Sequence, residues 1–199
     1  NSTRIYGGLK YDTDLTQLIR DNQRYKTEKQ SLTRSFEDCF IADSLHLRSG
    51  VEELPGTRIE AENIKHSLDA AHIENDLLTD TVGTEASFKA MSGKHIRTLH
   101  IATHGFYWTK REAYKQKRLN FLMLEDNHNL KYTEDKSLTR SGLLMAGANN
   151  ALIGIEIPEE VDNGILTAKE IANLDLRGMD MVVLSACQTG LGEITGDGV

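Results

Sequence analysis

The sequence predicts an α/β protein built on a mostly parallel sheet with helices on both sides. Three observations predict it. Short apolar runs alternate with helix-period stretches along the chain. The runs carry apolar residues on both faces, as strands buried from both sides do. The length, 199 residues, suits one domain with a sizeable core.

Residues 2–12, "STRIYGGLKYD", read as a first strand, whose Gly7–Gly8 pair suggests a bulge or a close backbone approach. Residues 12–54 are polar and weakly periodic, with a helix suggested by "DLTQLIRDNQRYKTE" and a variable loop after it. Residues 54–73 predict a helix started by a capping box between Thr57 and Glu60, with Ile59, Ile64, Leu68 and Ala71 on its apolar face. "ENDLLTD" (74–80) is a short strand. Residues 84–93 form a second helix, with Thr84 as N-cap and Gly93 as its stop. "IRTLHIATHG" (96–105) is a buried strand ending in His-Gly, and 106–140 is a long mixed insertion. "SGLLMAGANN" (141–150) predicts another apolar strand with a turn behind it. Residues 166–178 repeat the capping box with Thr167 and Glu170, and "MDMVVLSAC" (179–187) is the last strand, read as a buried run.

Composition excludes several classes. Apolar residues at 39% and charged ones at 27% fit a soluble globular domain. A net charge of −7 argues against a nucleic-acid partner, which needs a basic stripe. The most basic stretch, 110–118, is diluted by tyrosine and glutamate and reads as a solvated face. No apolar run reaches the ~18 residues of a membrane span, and no secretory signal stands at the start. The chain begins without methionine, so a piece of a longer or processed chain is expected. Cys39 and Cys187 are too few for a disulfide framework, which makes a reducing, cytoplasmic setting the default. No metal site is expected: His100 and His104 are four apart at a strand end, with no third ligand near in sequence. No organic cofactor is called for either.

In such sheets chemistry sits beyond the carboxyl ends of the strands. Two strands end on competent residues, one on His104 and one on Cys187. A cysteine hydrolase needs a thiolate, an imidazole to take and return its proton, and N–H donors for the oxyanion. Gly105 and the Cys187 N–H are candidate donors. The same residues also suit plain structural roles, since free cysteine and strand-end histidine are common in cores. A third reading takes the glycines of 190–196 as a variant dinucleotide loop, but the helix and acidic strand such a loop requires are not visible before Val199.

Taken together, "LHIATHGFYW", "SGLLMAGAN" and "NGILTAKEIANLDLRGMDMVVLSACQTGLGEITGDGV" resemble a CHAT domain, a caspase-like cysteine peptidase module related to separases and caspases. The resemblance covers roughly residues 54–199 and, more loosely, the first strand. It implies a caspase–haemoglobinase α/β/α sandwich, seen as a large-subunit-like part of one domain over 1–199. It implies His104 as general base, Cys187 as nucleophile, and Gly105 with the Cys187 N–H as oxyanion hole. It implies a bacterial cysteine endopeptidase acting on a protein or peptide substrate without a cofactor, with no nucleic-acid or membrane partner. Relatives carry N-terminal helical repeats that gate the peptidase, so a regulatory partner or such a region is expected. The family pattern continues past "GDGV" with a small-subunit-like segment, expected from further chain or from a separate one.

Specificity rests on fewer residues. Arg/Lys-specific relatives carry an acid two positions before the cysteine; this chain has Ser185 there. A hydroxyl pairs a desolvated guanidinium poorly, so no basic preference is expected from it. Tyr107 and Trp108 are candidates to wall the cleft or to pack the insertion. Cys39 is expected to be structural, and His46, His66, His72, His95 and His128 to lie on surfaces. A caspase-like scaffold without activity is the main rival reading, and a nucleotide-binding enzyme the lesser one.

Overall fold

A computed structural model describes residues 2–25, 50–107 and 136–186. Its elements run β1 (Ser2–Leu9), α1 (Leu15–Gln23), α2 (Pro55–Ala70), β2 (Asn75–Asp80), α3 (Glu85–Lys89) and β3 (Ile96–Ala102). They continue with β4 (Gly105–Tyr107), a 3-10 turn (Lys136–Thr139), β5 (Ser141–Leu144), α4 (Ala148–Leu152), β6 (Ile165–Thr167), α5 (Ala168–Ala172) and β7 (Met181–Ser185).

The main sheet has the order β2-β1-β3-β7, with every pair parallel. Ile5 lies between Leu77 and His100, and Ile101 lies between Tyr6 and Leu184. Side chains alternate across a strand, so Tyr6, Leu99 and Ile101 share one face while Ile5 and His100 share the other. α3 covers the first face, with Phe88 6.0 Å from the Tyr6 ring. α2 covers the second. The expected α/β architecture with a mostly parallel, helix-flanked sheet is therefore present.

The Gly7–Gly8 pair does both things expected of it. The β1 register slips between Tyr6 and Leu9. A Cβ at Gly7 would stand 2.7 Å from the Ala61 side chain, so glycine there lets α2 lie close on the strand. This approach also sets which face of α2 turns inward. Ala61 is its buried residue, and Ile59, expected inside, is 61% exposed.

Three further expectations need correction. The 57–60 capping box does not form: Leu54 is the N-cap, Pro55 opens the helix, and Thr57 donates to Leu54 O while accepting from the Gly8 N–H. The chain does not carry 141–150 into the parallel sheet. Instead β4, β5 and β6 form a separate antiparallel sheet, and 148–152 is helical. The reason lies at the turn after β3, where the backbone leaves the main sheet and Leu144 N–H donates to His104 O. Finally, β7 is not a buried run. Among the described residues it is the edge of the sheet, and Met181, Val182, Val183 and Leu184 stay 37–53% exposed.

The helix 84–93 keeps its Thr84 cap, which accepts from Ser87 N–H at 3.1 Å, but its α-helical part ends at Lys89. Turns follow until Gly93, which takes a left-handed φ of 73°. The 167–170 capping box is present as expected. α3 is locked to this second box by Lys89, whose buried ammonium meets Glu85, Asp162 at 2.8 Å and Glu170 at 2.8 Å. Burial pulls the Lys89 ammonium down, but the three carboxylates outweigh it and hold it protonated. Burial raises Glu85 well above the usual carboxylate range, helped by the two other acids.

Candidate active site

His104 sits two residues past the end of β3 and one before β4, in the linker between the two sheets rather than in a strand. Three contacts fix it. Its ring lies 5.1 Å from the Tyr11 ring, centroid to centroid. Its backbone N–H donates to Tyr11 Oη at 3.3 Å. Its Nε2 lies 2.9 Å from the backbone carbonyl of Glu52.

The last contact decides the tautomer. A carbonyl oxygen only accepts, so Nε2 carries the hydrogen. In the neutral ring Nδ1 is then left with its lone pair. Glu52 was not singled out from the sequence, and nothing local marks it, because the contributing atom is main-chain oxygen.

Tyr11 is a buried relay beneath this ring. Thr103 Oγ1 donates to Leu144 O, so it accepts from Tyr11 Oη at 2.8 Å. Tyr11 Oη in turn accepts from His104. Burial raises the Tyr11 phenol above its ordinary value, which keeps its proton in place for Thr103. This relay ties β1, the end of β3 and β5 together at one point.

Gly105 opens β4 opposite Leu143. Leu144 N–H bonds to His104 O, so residues 104 and 144 stand at a bonded position of the ladder with one of its two bonds made. Bonded and unbonded pairs alternate, so the Gly105 N–H turns away from β5. Tyr107 pairs with Ser141, and the Arg140 guanidinium lies 5.9 Å from its ring centroid. Cys187, Trp108, Cys39, His46, His128 and the glycines of 190–196 lie outside the described residues, as does most of the 106–140 insertion. His66, His72 and His95 are exposed.

Ser185 ends β7 beside Ala102 of β3. Its hydroxyl donates to Glu60 Oε2 at 3.0 Å. The other oxygen, Oε1, lies 3.0 Å from His100 Nε2, out of line for a hydrogen bond. Glu60 therefore reaches from α2 to both strands. The Thr57–Glu60 spacing predicts a helix-cap role that this carboxylate does not take. His100 and His104 turn to different partners and do not converge, and no group of three His, Cys, Asp or Glu that could hold a metal ion exists among the described residues. No described helix is long and apolar enough to cross a membrane.

An apolar groove of about 250 Å³ runs between the main sheet and β5–α5, lined by Phe88, Leu99, Phe106, Leu143, Ile171 and Leu184. It contains no ionisable lining residue and belongs to the packing side of the sheet.

A family model described as CHAT domain matches residues 8–199. No curated protein and no solved structure matches the chain. The match begins within β1 and so takes in more of the chain than the motifs alone. On that match the chain belongs to the CHAT domain family, which is related to the caspase-like cysteine peptidases.

Proposed function

We propose that this chain is the catalytic, large-subunit-like part of a cysteine endopeptidase, with His104 as general base and Cys187 as nucleophile. The observation that carries the reading is the Glu52 carbonyl on His104 Nε2, which leaves Nδ1 as the basic atom. Register supports the partnership. Ala102 pairs with Ser185 on neighbouring parallel strands, and positions 104 and 187 each come two residues later in the sequence than a member of that pair.

In the reaction Nδ1 takes the Cys187 thiol proton as sulfur attacks the scissile carbonyl. The carbonyl oxygen becomes an oxyanion beside the Gly105 and Cys187 N–H groups. Collapse of the adduct breaks the C–N bond, and the imidazolium returns its proton to the leaving amine. Water, deprotonated by the same Nδ1, then hydrolyses the thioester and frees the acid product. The chemistry needs no metal or organic cofactor.

The Ser185 hydroxyl is committed to Glu60, which supports reading it as a strand tie more than a pocket wall. Arg140 over Tyr107 supports a packing role for that ring. The open apolar edge of β7 supports a further strand-bearing segment docking beside it, from later chain or a separate one. A regulatory partner or N-terminal helical-repeat region belongs to the same proposal.

A thiol-reactive peptidyl probe tests the dyad. Labelling is expected to vanish in Cys187→Ala and in His104→Ala; labelling that persists in Cys187→Ala refutes the reading.

A further inference from the structure

The carbonyl that orients His104 belongs to a short strap, Gly50–Val51–Glu52, and the strap has its own anchor. The Asn149 carboxamide, at the head of α4 and only 2% exposed, holds both backbone polar groups of Val51. Its Oδ1 accepts from Val51 N–H at 2.8 Å, and its Nδ2 donates to Val51 O at 3.0 Å. The second Nδ2 hydrogen goes to Asp12 Oδ1 at 2.7 Å. Asn149 backbone N–H donates to Tyr11 O at 3.2 Å.

The side chain thus acts as a one-residue strand partner for Val51. A carboxamide offers one acceptor and two donors in a plane, which is what a peptide N–H, a peptide C=O and a carboxylate together require. Aspartate would lose both donations and set a charge against Asp12. Gly50 completes the fit. Its φ is +72°, and a Cβ there would stand 2.7 Å from Asn149 Cγ. The strap can lie on the amide only with glycine at that position.

Asn149 therefore reaches His104 from two directions. Through Val51 it places the Glu52 carbonyl on Nε2, and through the Tyr11 backbone it steadies the relay under the ring. We propose that Asn149 is a positioning residue that fixes the His104 tautomer through the strap. Its catalytic meaning rests on the peptidase reading above; its effect on the tautomer does not. The SGLLMAGAN motif then has a task beyond forming a strand, since it ends on the amide that sets the imidazole.

The test uses the whole chain carrying ¹⁵N-labelled histidine, in Asn149→Ala and Gly50→Ala variants. Gly50→Ala disturbs the strap and its seat on the Asn149 amide while leaving the sequence of α4 unchanged, and so serves if Asn149→Ala unfolds. Nitrogen NMR of His104 is expected to report the Nε2–H tautomer in the wild type and a mixture in each folded variant. The rate of Cys187 alkylation by iodoacetamide is expected to fall about 10- to 100-fold, by analogy with the loss when a group orienting a metal-ligating histidine is removed, with a shifted pH profile. A His104 tautomer and pH profile unchanged in both variants would overturn the proposal, even if thermal stability fell. His104→Ala separates the two ideas: if it leaves alkylation unchanged, the dyad fails. If it slows alkylation while the Asn149 and Gly50 variants do not, only the positioning role fails.

Discussion

The chain contains two Thr-x-x-Glu stretches, 57–60 and 167–170, and they end differently. At 167–170 the box closes. Thr167 Oγ1 accepts from Glu170 N–H at 3.2 Å, and Glu170 Oε2 accepts from Thr167 N–H at 2.8 Å. At 57–60 it stays open, and Glu60 reaches out to Ser185 and His100. The difference lies in what stands opposite each carboxylate. Glu170 meets its distant partner, Lys89, with Oε1 and keeps Oε2 for the cap. Glu60 faces two strands at once: Oε2 accepts from Ser185 and Oε1 lies beside His100 Nε2, while Thr57 Oγ1 is engaged by Leu54 O and the Gly8 N–H. A local motif closes when tertiary structure leaves its side chains turned toward each other.

The most severe way to break the comparison is to remove Lys89. Lys89→Met would leave Glu85 buried beside Asp162 and Glu170 with no ammonium among them. The expected loss is about 3–5 kcal/mol, read by chemical denaturation. Glu85→Gln sharpens the same point through pH. The folded Glu85 carboxyl is raised, so its contribution to stability is full below the unfolded value and lost as pH rises through the folded one. Wild type should lose stability over that rising window, and Glu85→Gln should lose less. An equal slope in both proteins would show Glu85 already ionised.

Glu60 comes next. Glu60→Ala removes the acceptor of Ser185 and the carboxylate beside buried His100, with an expected loss of about 1–3 kcal/mol. Hydrogen exchange should report the opening first at the β3–β7 pairing. A loss confined to the first turn of α2 would mean that Glu60 caps the helix after all. The smallest effect is the cap itself. Thr167→Ala should cost about 1 kcal/mol. Thr57→Ala should act instead through Gly8, whose N–H loses its 3.0 Å acceptor, so exchange at Gly8 should quicken.

The same contrast explains what could be read from the sequence. The strand that leads to His104 and the one that ends at Ser185 are legible because apolar runs are local and their ends are marked by polar residues and glycine. Gly7 was legible as a close approach, but not which helix residue it met, and so Ile59 was assigned to the wrong side. β5 looked like any apolar strand; its transfer to an antiparallel sheet is decided by the Leu144–His104 bond, which has no local sign. Asn149 was hidden for the same reason, since Val51 lies 98 positions away. The orienting group on His104 was least legible of all, because every residue type carries the carbonyl that supplies it.

The edge position of β7 has a consequence for how the protein is made. The Arg97–Asp180 pair at the start of the β3–β7 seam joins residues 83 positions apart. At ~5–20 residues per second, the β3 edge stays unpaired on the ribosome for about 4–17 s after it emerges. Tyr11, the strap and His104 are all synthesised before β7, and Cys187 follows it. The imidazole half of the proposed dyad is therefore available to assemble while the thiol is still unmade, so the proposed dyad cannot form until the last described strand has been synthesised.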